Sequence, residues 1–300
     1  MKVLVTGASG YIGGAVAAAM RAAGHAVVGL VRSPQKLDAV RALGVEPALG
    51  TLEDGAALAK LAAACDAVVD TASADNAASV EALLAALAGT RKTYVRTSGS
   101  SVVGDLAWGE GGGRVFDEDT PFRPGPGRAA RVALDERVRA AAGAGLRTAV
   151  VSPSLIYGPG RDVEHESAQV PRLFALARKS GIARHVGRGE NVWSNVHIDD
   201  LADLYVRVLE KAPAGALYYA ANGECSMREV CAAISRVLGF GGSTQGMSRE
   251  ASIAELGEGP AAYTYGSNSR VRAVRARREL AWAPRHDALV ATIDAARPGA

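Results

Sequence analysis

Residues 3–13 read VLVTGASGYIG. The apolar run Val3–Val5 enters a turn carrying Gly7, Gly10 and Gly13, and an Ala-rich run of helical character follows. Strand, glycine turn and helix in that order place a diphosphate against the positive N-terminal end of a helix. Gly7 takes backbone angles that a Cβ would forbid, Gly10 lets the chain approach phosphates, and Gly13 lets helix and strand pack closely. Ser9, Tyr11 and Ile12 belong to the same turn. A glycine triplet alone also serves tight turns that bind nothing, so the strand before it and the helix after it decide for a nucleotide.

Working outward, short β-branched runs alternate with Ala/Leu-rich helical runs. Strands are predicted at Lys2–Thr6, Ala26–Val31, Val45–Leu49, Ala67–Thr71, Lys92–Thr97 and Arg147–Val151. Helices are predicted between them, among them Ala56–Ala64, Asn76–Leu87 and Arg128–Ala142. This alternation implies an α/β protein, a Rossmann-type doubly wound parallel sheet covered by helices on both faces. Ligands on such sheets sit beyond the carboxyl ends of the strands. Thr71, Ala72 and Ser73 after the fourth strand, and Pro153 after the sixth, therefore join the candidate cofactor contacts.

Beyond Gly160 the pattern turns irregular. Helices are expected at Val170–Lys179 and from Asp199 (as N-cap) to Lys211, with a short strand at Asn195–Ile198 between them. Leu217–Ala221, Ser226–Leu238, Arg249–Leu256 and Val271–Leu280 are expected to complete a smaller, mixed lobe, with a surface loop at Gly239–Gly246 and a flexible loop at Gly109–Gly113. The division expected is a dinucleotide-binding domain over 1–157, with part of 195–222 returning to it. A smaller mixed α/β substrate lobe would occupy 158–300.

The second strand ends in Arg32-Ser33-Pro34, where the adenosine ribose should lie. An acid there bonds a ribose 2′-hydroxyl and repels a 2′-phosphate, and a base does the reverse. Arg32, with Lys36 one turn into the next helix, selects NADP(H). Ser33 is the expected N-cap of that helix and Pro34 its first residue.

Bulk properties narrow the partners. The chain has 300 residues, a formal net charge of +3 and dispersed basic residues, which argues against nucleic acid. Arg270–Arg278, the densest basic stretch, interleaves Arg with Val and Ala and suits the solvated face of a C-terminal helix. No apolar run reaches membrane-spanning length, and a first strand at residue 2 leaves no room for a signal peptide. The three cysteines, Cys65, Cys225 and Cys231, lack zinc-like spacing, so no metal is expected and reduced thiols in the cytoplasm are the default.

Several segments together resemble the extended branch of the short-chain dehydrogenase/reductase superfamily, which includes sugar-nucleotide epimerases and dihydroflavonol-type reductases. TGASGYIG is similar to its cofactor turn, and Gly50-Thr51-Leu52-Glu53-Asp54 to its adenine loop, which implies adenine contacts from Thr51 and Leu52. Residues 97–104 (TSGSSVVG), 153–160 (PSLIYGPG) and 195–202 (NVHIDDLA) resemble three further blocks, so the resemblance spans essentially the whole chain. It implies a proton passed by a Tyr, aided by a Lys four residues later and a Ser or Thr. Here the helix reads GRAARVALDE over 127–136. Alignment on Asp135 puts Gly127 at the tyrosine and Arg131 at the lysine, a shift by one puts Arg128 and Val132 there, and the serine falls on Gly99. The triad is absent, as in atypical members grouped with this branch.

Candidates remain for its tasks. Arg131 can bond the nicotinamide ribose but cannot give up a proton at neutral pH. Ser100 and Ser101 lie where a hydroxyl could polarise a carbonyl. Tyr157 or His165 could supply the proton, and Trp108, Tyr157, Trp193 and His197 could line the substrate cleft. The leading expectation is an NADPH-dependent oxidoreductase reducing a small carbonyl or imine. A redox-neutral epimerase or isomerase on the same cofactor and a non-catalytic NADP(H)-binding sensor stay open. Oligomeric state is not readable from the residues, and dimers common among similar proteins leave a homodimer open.

Overall fold

Seven strands form the central sheet: β1 (Lys2–Thr6), β2 (Ala26–Val31), β3 (Glu46–Leu49), β4 (Ala67–Asp70), β5 (Thr93–Thr97), β6 (Arg147–Pro153) and β7 (Ala216–Ala220). The computed structural model describes residues 1–125, 127–161 and 167–296. The strand order is β7-β6-β5-β4-β1-β2-β3, and every pairing is parallel. Strand progression reverses at β1, which opens a crevice at the carboxyl ends of β1 and β4.

Both faces of the sheet are covered, so its central strands are apolar throughout rather than alternating. Val3 and Val5 point into one layer of core and Leu4 into the other, as a period of two requires. Three helices matter to the site: α1 (Tyr11–Ala22), α2 (Ala129–Ala140) and α3 (Ile198–Lys211). On one face α1 and α3 pack together through Val16, Met20, Leu201, Leu204 and Tyr205. On the other, helices Gly55–Ala63 and Ala77–Leu87 join Val138 of α2 over Leu58, Leu83 and Leu87.

Every strand expected in the first 151 residues is present, with ends displaced by at most a residue or two. The second half differs more. Strand Val192–His197 pairs parallel to Leu155–Tyr157 and antiparallel to Glu224–Ser226. These strands lie over a separate core that includes Leu155, Val186, Trp193, Met227, Ile234 and Leu256.

Several local expectations are corrected. The cap of α3 is His197, whose Nδ1 accepts from the Asp199 backbone N–H at 3.2 Å, so Asp199 sits inside the first turn. Ser33 precedes a 3-10 turn, Pro34–Lys36, but donates to Gln35 at 2.6 Å rather than capping it. The C-terminal helix expected over Arg270–Arg278 is a strand, Arg270–Val271, followed by helix Val274–Leu280, because residues 270–271 pair with Val115–Phe116. That break also dissolves the expected solvated basic face: Arg270 and Arg272 both pair with Glu224, and Arg275 with Asp119. Part of the expected loop 239–246 is strand Thr244–Met247, paired with Ala183–Val186. Gly109, expected in a flexible loop, is pinned: its N–H donates to Gly266 O and its carbonyl accepts from Glu190 N, both at 2.9 Å.

Candidate functional site

The crevice holds a groove of about 590 Å³. Its floor is the glycine turn, with Gly7, Ser9, Gly10, Tyr11, Ile12 and Gly13 all exposed to it. Gly7 has φ +68°, and a Cβ there would stand 2.9 Å from Ala72 Cα. A Cβ on Gly13 would come within 2.0 Å of Gly7 O, so strand and helix could not close to this distance with any other residue. Gly10 is the N-cap of α1 and offers no side-chain cap, and the first turn carries no acid. The N–H groups at the start of α1 therefore face the groove with the positive end of the helix dipole and no side chain to satisfy them. A dinucleotide diphosphate fits this cradle.

The far wall is held by a buried network. Thr6 Oγ1 donates to Asp70 at 2.5 Å and accepts from the Thr71 and Ala72 N–H groups at 3.1 and 3.2 Å. Thr71 Oγ1 returns a bond to Thr6 O at 2.6 Å, and Tyr94 donates to the other Asp70 oxygen at 3.1 Å. Burial pushes the Asp70 carboxyl above its ordinary range despite these bonds. The clasp sets Thr71 and Ala72 against the glycine turn. Only an acid at the end of an apolar strand hinted at it.

At the adenosine end, Arg32, Lys36, Thr51 and Leu52 line the groove together with Glu53. Arg32 is exposed and has no hydrogen-bond partner among the described residues, while Lys36 reaches back to Ser9 O at 3.4 Å. Ser73 and Pro153 lie off this groove; Ser73 Oγ accepts from the Asp75 N–H at 3.3 Å, and Pro153 is buried at the end of β6.

The segments carrying the departures converge beside it. Asp135 on α2 accepts from Arg96 at 2.9 Å and from Ser98 at 2.5 Å, and Arg96, fully buried, also donates to Ala74 O at 2.6 Å. This clamp fixes α2 on β5 and so places the residues one turn earlier. Arg131 then spans the gap. It chelates Asp75 through Nε at 2.8 Å and Nη2 at 2.5 Å, and Nη1 donates to Ser101 Oγ at 3.1 Å. Its guanidinium holds the Asp75 carboxyl below the usual range. A Cβ at Gly99 would stand 3.3 Å from Arg131 Nη1, a tight contact from which the guanidinium would have to shift slightly.

The remaining candidates disperse. Ser100 is buried and its hydroxyl pairs with Ser269 Oγ at 2.8 Å, which commits it to packing the C-terminal segment. Tyr157 faces away from the dinucleotide groove because Ile156, next along the strand, faces into it. It borders instead a cavity of about 790 Å³ lined by Phe174 and Leu289, and burial pushes its phenol up to about 12. Its ring meets His197 edge-on at 5.2 Å, and His197 stacks on His286 at 3.9 Å. Burial and then the neighbouring His286 lower the His197 pKa. Trp193 is buried and donates to Ser267 O at 2.8 Å. Trp108 lies under the Arg249 guanidinium at 4.3 Å. His165 lies outside the described residues.

Residues 3–221 match the NAD dependent epimerase/dehydratase family. The chain belongs to that family. It is 32% identical over 253 residues to the 2-alkyl-3-oxoalkanoate reductase of Stenotrophomonas maltophilia, covering 77% of this chain and 73% of that one. It is 31% identical over 242 residues to the 4-hydroxy-2-methyl-3-oxo-4-farnesyl-3,4-dihydroquinoline-1-oxide ketoreductase of Stigmatella aurantiaca, covering 74% and 69%. Among solved structures, dTDP-glucose 4,6-dehydratase of Bacillus anthracis in complex with NAD superposes with a TM-score of 0.78 at 20% identity, over 98% of this chain and 94% of that one. The protein is thus an enzyme of the superfamily that its cofactor turn suggested, with the Rossmann-type sheet expected. Among the described residues no helix is long and apolar enough to cross a membrane, and no group of three His, Cys, Asp or Glu is placed to hold a metal.

Proposed function

We propose that the chain is an NADPH-dependent reductase of a small carbonyl or imine compound. The observation that carries the cofactor choice is Arg32, unpartnered among the described residues at the adenosine end of the groove, with Lys36 beside it. An exposed guanidinium without a hydrogen-bond partner among the described residues favours a 2′-phosphate there. The start of α1 would bind the diphosphate, Thr51 and Leu52 the adenine, and Thr71 and Ala72 the middle of the dinucleotide. When bound, the nicotinamide supplies hydride to the substrate carbon. Arg131, fixed between Asp75 and Ser101, takes the ribose-binding role of the absent lysine, and Ser101 holds its hydroxyl where it can polarise a substrate oxygen. The named reductase relatives support this direction of chemistry. Free thiols at Cys65, Cys225 and Cys231 support a reducing compartment, the cytoplasm.

The loss of the Tyr-x-x-x-Lys pair favours one other reading, a silent NADP(H) sensor. Both are tested by NADPH oxidation with the purified protein against aldehydes, ketones, cyclic imines and sugar nucleotides. Oxidation dependent on one compound class is expected. Tight NADPH binding with no oxidation and no isomerised product would replace the reductase with the sensor.

A further inference from the structure

Gly99 and Gly127 leave two side chains missing from one site, and the structure fills both spaces from elsewhere. Arg131 enters the first. The second lies at the start of α2, where Gly127 has φ +75°. A Cβ built there would meet Tyr263, at 3.7 Å from its hydroxyl and 3.8 Å from its Cζ. The phenol of Tyr263 therefore lies where a tyrosine side chain rooted at residue 127 would begin. It arrives from the far end of the chain, on a π-helical turn, Ala261–Tyr265, a rare backbone form that is frequent at functional sites.

Two contacts hold it there. The Arg128 guanidinium lies over the ring at 4.8 Å from its centre, and Ser267 Oγ donates to the Tyr263 carbonyl at 3.0 Å. The side chain is half-buried, so its hydroxyl keeps access to solvent. It has no hydrogen-bond partner among the described residues, unlike Tyr265 of the same turn, which donates to Gln169 O at 3.2 Å. One phenol of the turn is committed to structure and the other is uncommitted beside Arg128, one helical turn from Arg131.

We infer that Tyr263 is the catalytic proton donor of this enzyme, replacing from the C-terminal lobe the tyrosine that α2 lacks. The inference rests on the reductase reading above. As hydride reaches the substrate carbon, the carbonyl π-bond breaks and its electron pair takes the Tyr263 proton, forming the alcohol O–H bond. The phenolate left behind regains a proton from water. The substrate is reduced, the dinucleotide is oxidised by the same two electrons, and Tyr263 ends unchanged. Arg128, whose guanidinium lies over the ring, stabilises the transient phenolate.

The test compares Tyr263→Phe with Tyr265→Phe on the substrate that the panel identifies. Tyr263→Phe is expected to lower kcat about 100-fold or more, leaving KM and the NADPH dissociation constant (from nicotinamide fluorescence) within about twofold and the melting temperature within about 2 °C. Tyr265→Phe is expected to lower the melting temperature and leave kcat within about twofold. A Tyr263→Phe protein that keeps its kcat, or loses NADPH binding in proportion to kcat, overturns the inference while the reductase reading stands. A wild-type protein that binds NADPH and reduces no compound overturns both.

Discussion

Replacing Arg32 by Ala tests cofactor choice at its source. Arg32 is exposed at the groove and has no partner among the described residues, so a 2′-phosphate would gain a charge-assisted bond without breaking an existing one. Such bonds contribute roughly 1.5–3 kcal/mol. Solvent screening at an exposed site and the remaining charge of Lys36 put the loss at the lower end, about 1.5–2 kcal/mol. That converts to roughly a 10- to 30-fold weaker NADPH complex, at about 1.4 kcal/mol per factor of ten. NADH, lacking the phosphate, should bind within about twofold of its wild-type value. The assay is nicotinamide fluorescence titration with both dinucleotides, repeated at high salt, where the wild-type preference should shrink as the Debye length contracts. Equal losses for NADPH and NADH, or a preference indifferent to salt, would refute the assignment.

Two further substitutions probe the frame. Asp135→Ala removes the carboxylate that pairs with a fully buried Arg96, and uncompensated buried charge costs about 3–5 kcal/mol. Thermal unfolding should shift down by roughly 10 °C; a shift under about 2 °C would show that the clamp is dispensable. Glu224, held by Arg270 and Arg272, has its carboxyl lowered from 4.5 to about 2, first by the Arg270 hydrogen bond. A depressed folded-state pKa stabilises above the unfolded value and loses that stability as pH falls from about 4.5 toward 2. Partial exposure reduces the gain to about 1–2 kcal/mol. Urea titrations of Glu224→Gln and wild type should therefore differ at pH 7 and converge near the acid end; a constant difference would falsify the linkage.

What could be read from residues follows periodicity and backbone need. The central strands are buried on both faces, so their apolar runs are unbroken and their bounds were legible to a residue or two. Gly7 and Gly13 announce themselves because contacts at 2.9 Å and 2.0 Å exclude any Cβ. The cofactor candidates from Gly7 to Ala72 fell on one groove because strand ends set their positions. Of the catalytic candidates, Arg131 and Ser101 meet, whereas Ser100 and Tyr157 turn elsewhere because side-chain direction decided their places. Tyr157 and Ile156 are adjacent, yet only one can face the groove. Ser100 is drawn off by Ser269, 169 positions away, and no local pattern encodes that partner. The C-terminal break at Ala273 was missed for the same reason: pairing with Val115–Phe116 competes with helix formation and wins.

The same logic explains how a site can lose its residues and keep its architecture. The Arg96–Asp135–Ser98 clamp fixes α2 on β5 without using residues 99, 127 or 131. Side chains at those positions are therefore free to change while the spaces they serve persist. A Cβ at 99 would stand 3.3 Å from Arg131 Nη1, so the guanidinium would have to shift slightly. A Cβ at 127 would rest against the Tyr263 ring at 3.7–3.8 Å, an ordinary contact, and Arg128 covers that ring. Residues 99 and 131, and residues 127, 128 and 263, are thus in mutual contact, so exchanging one bears on its neighbours. Restoring Ser at 99 alone should thus crowd Arg131 rather than recover an older chemistry, and restoring Tyr at 127 should displace Tyr263. Departures from a family pattern at such a site are better read as coupled exchanges than as independent losses.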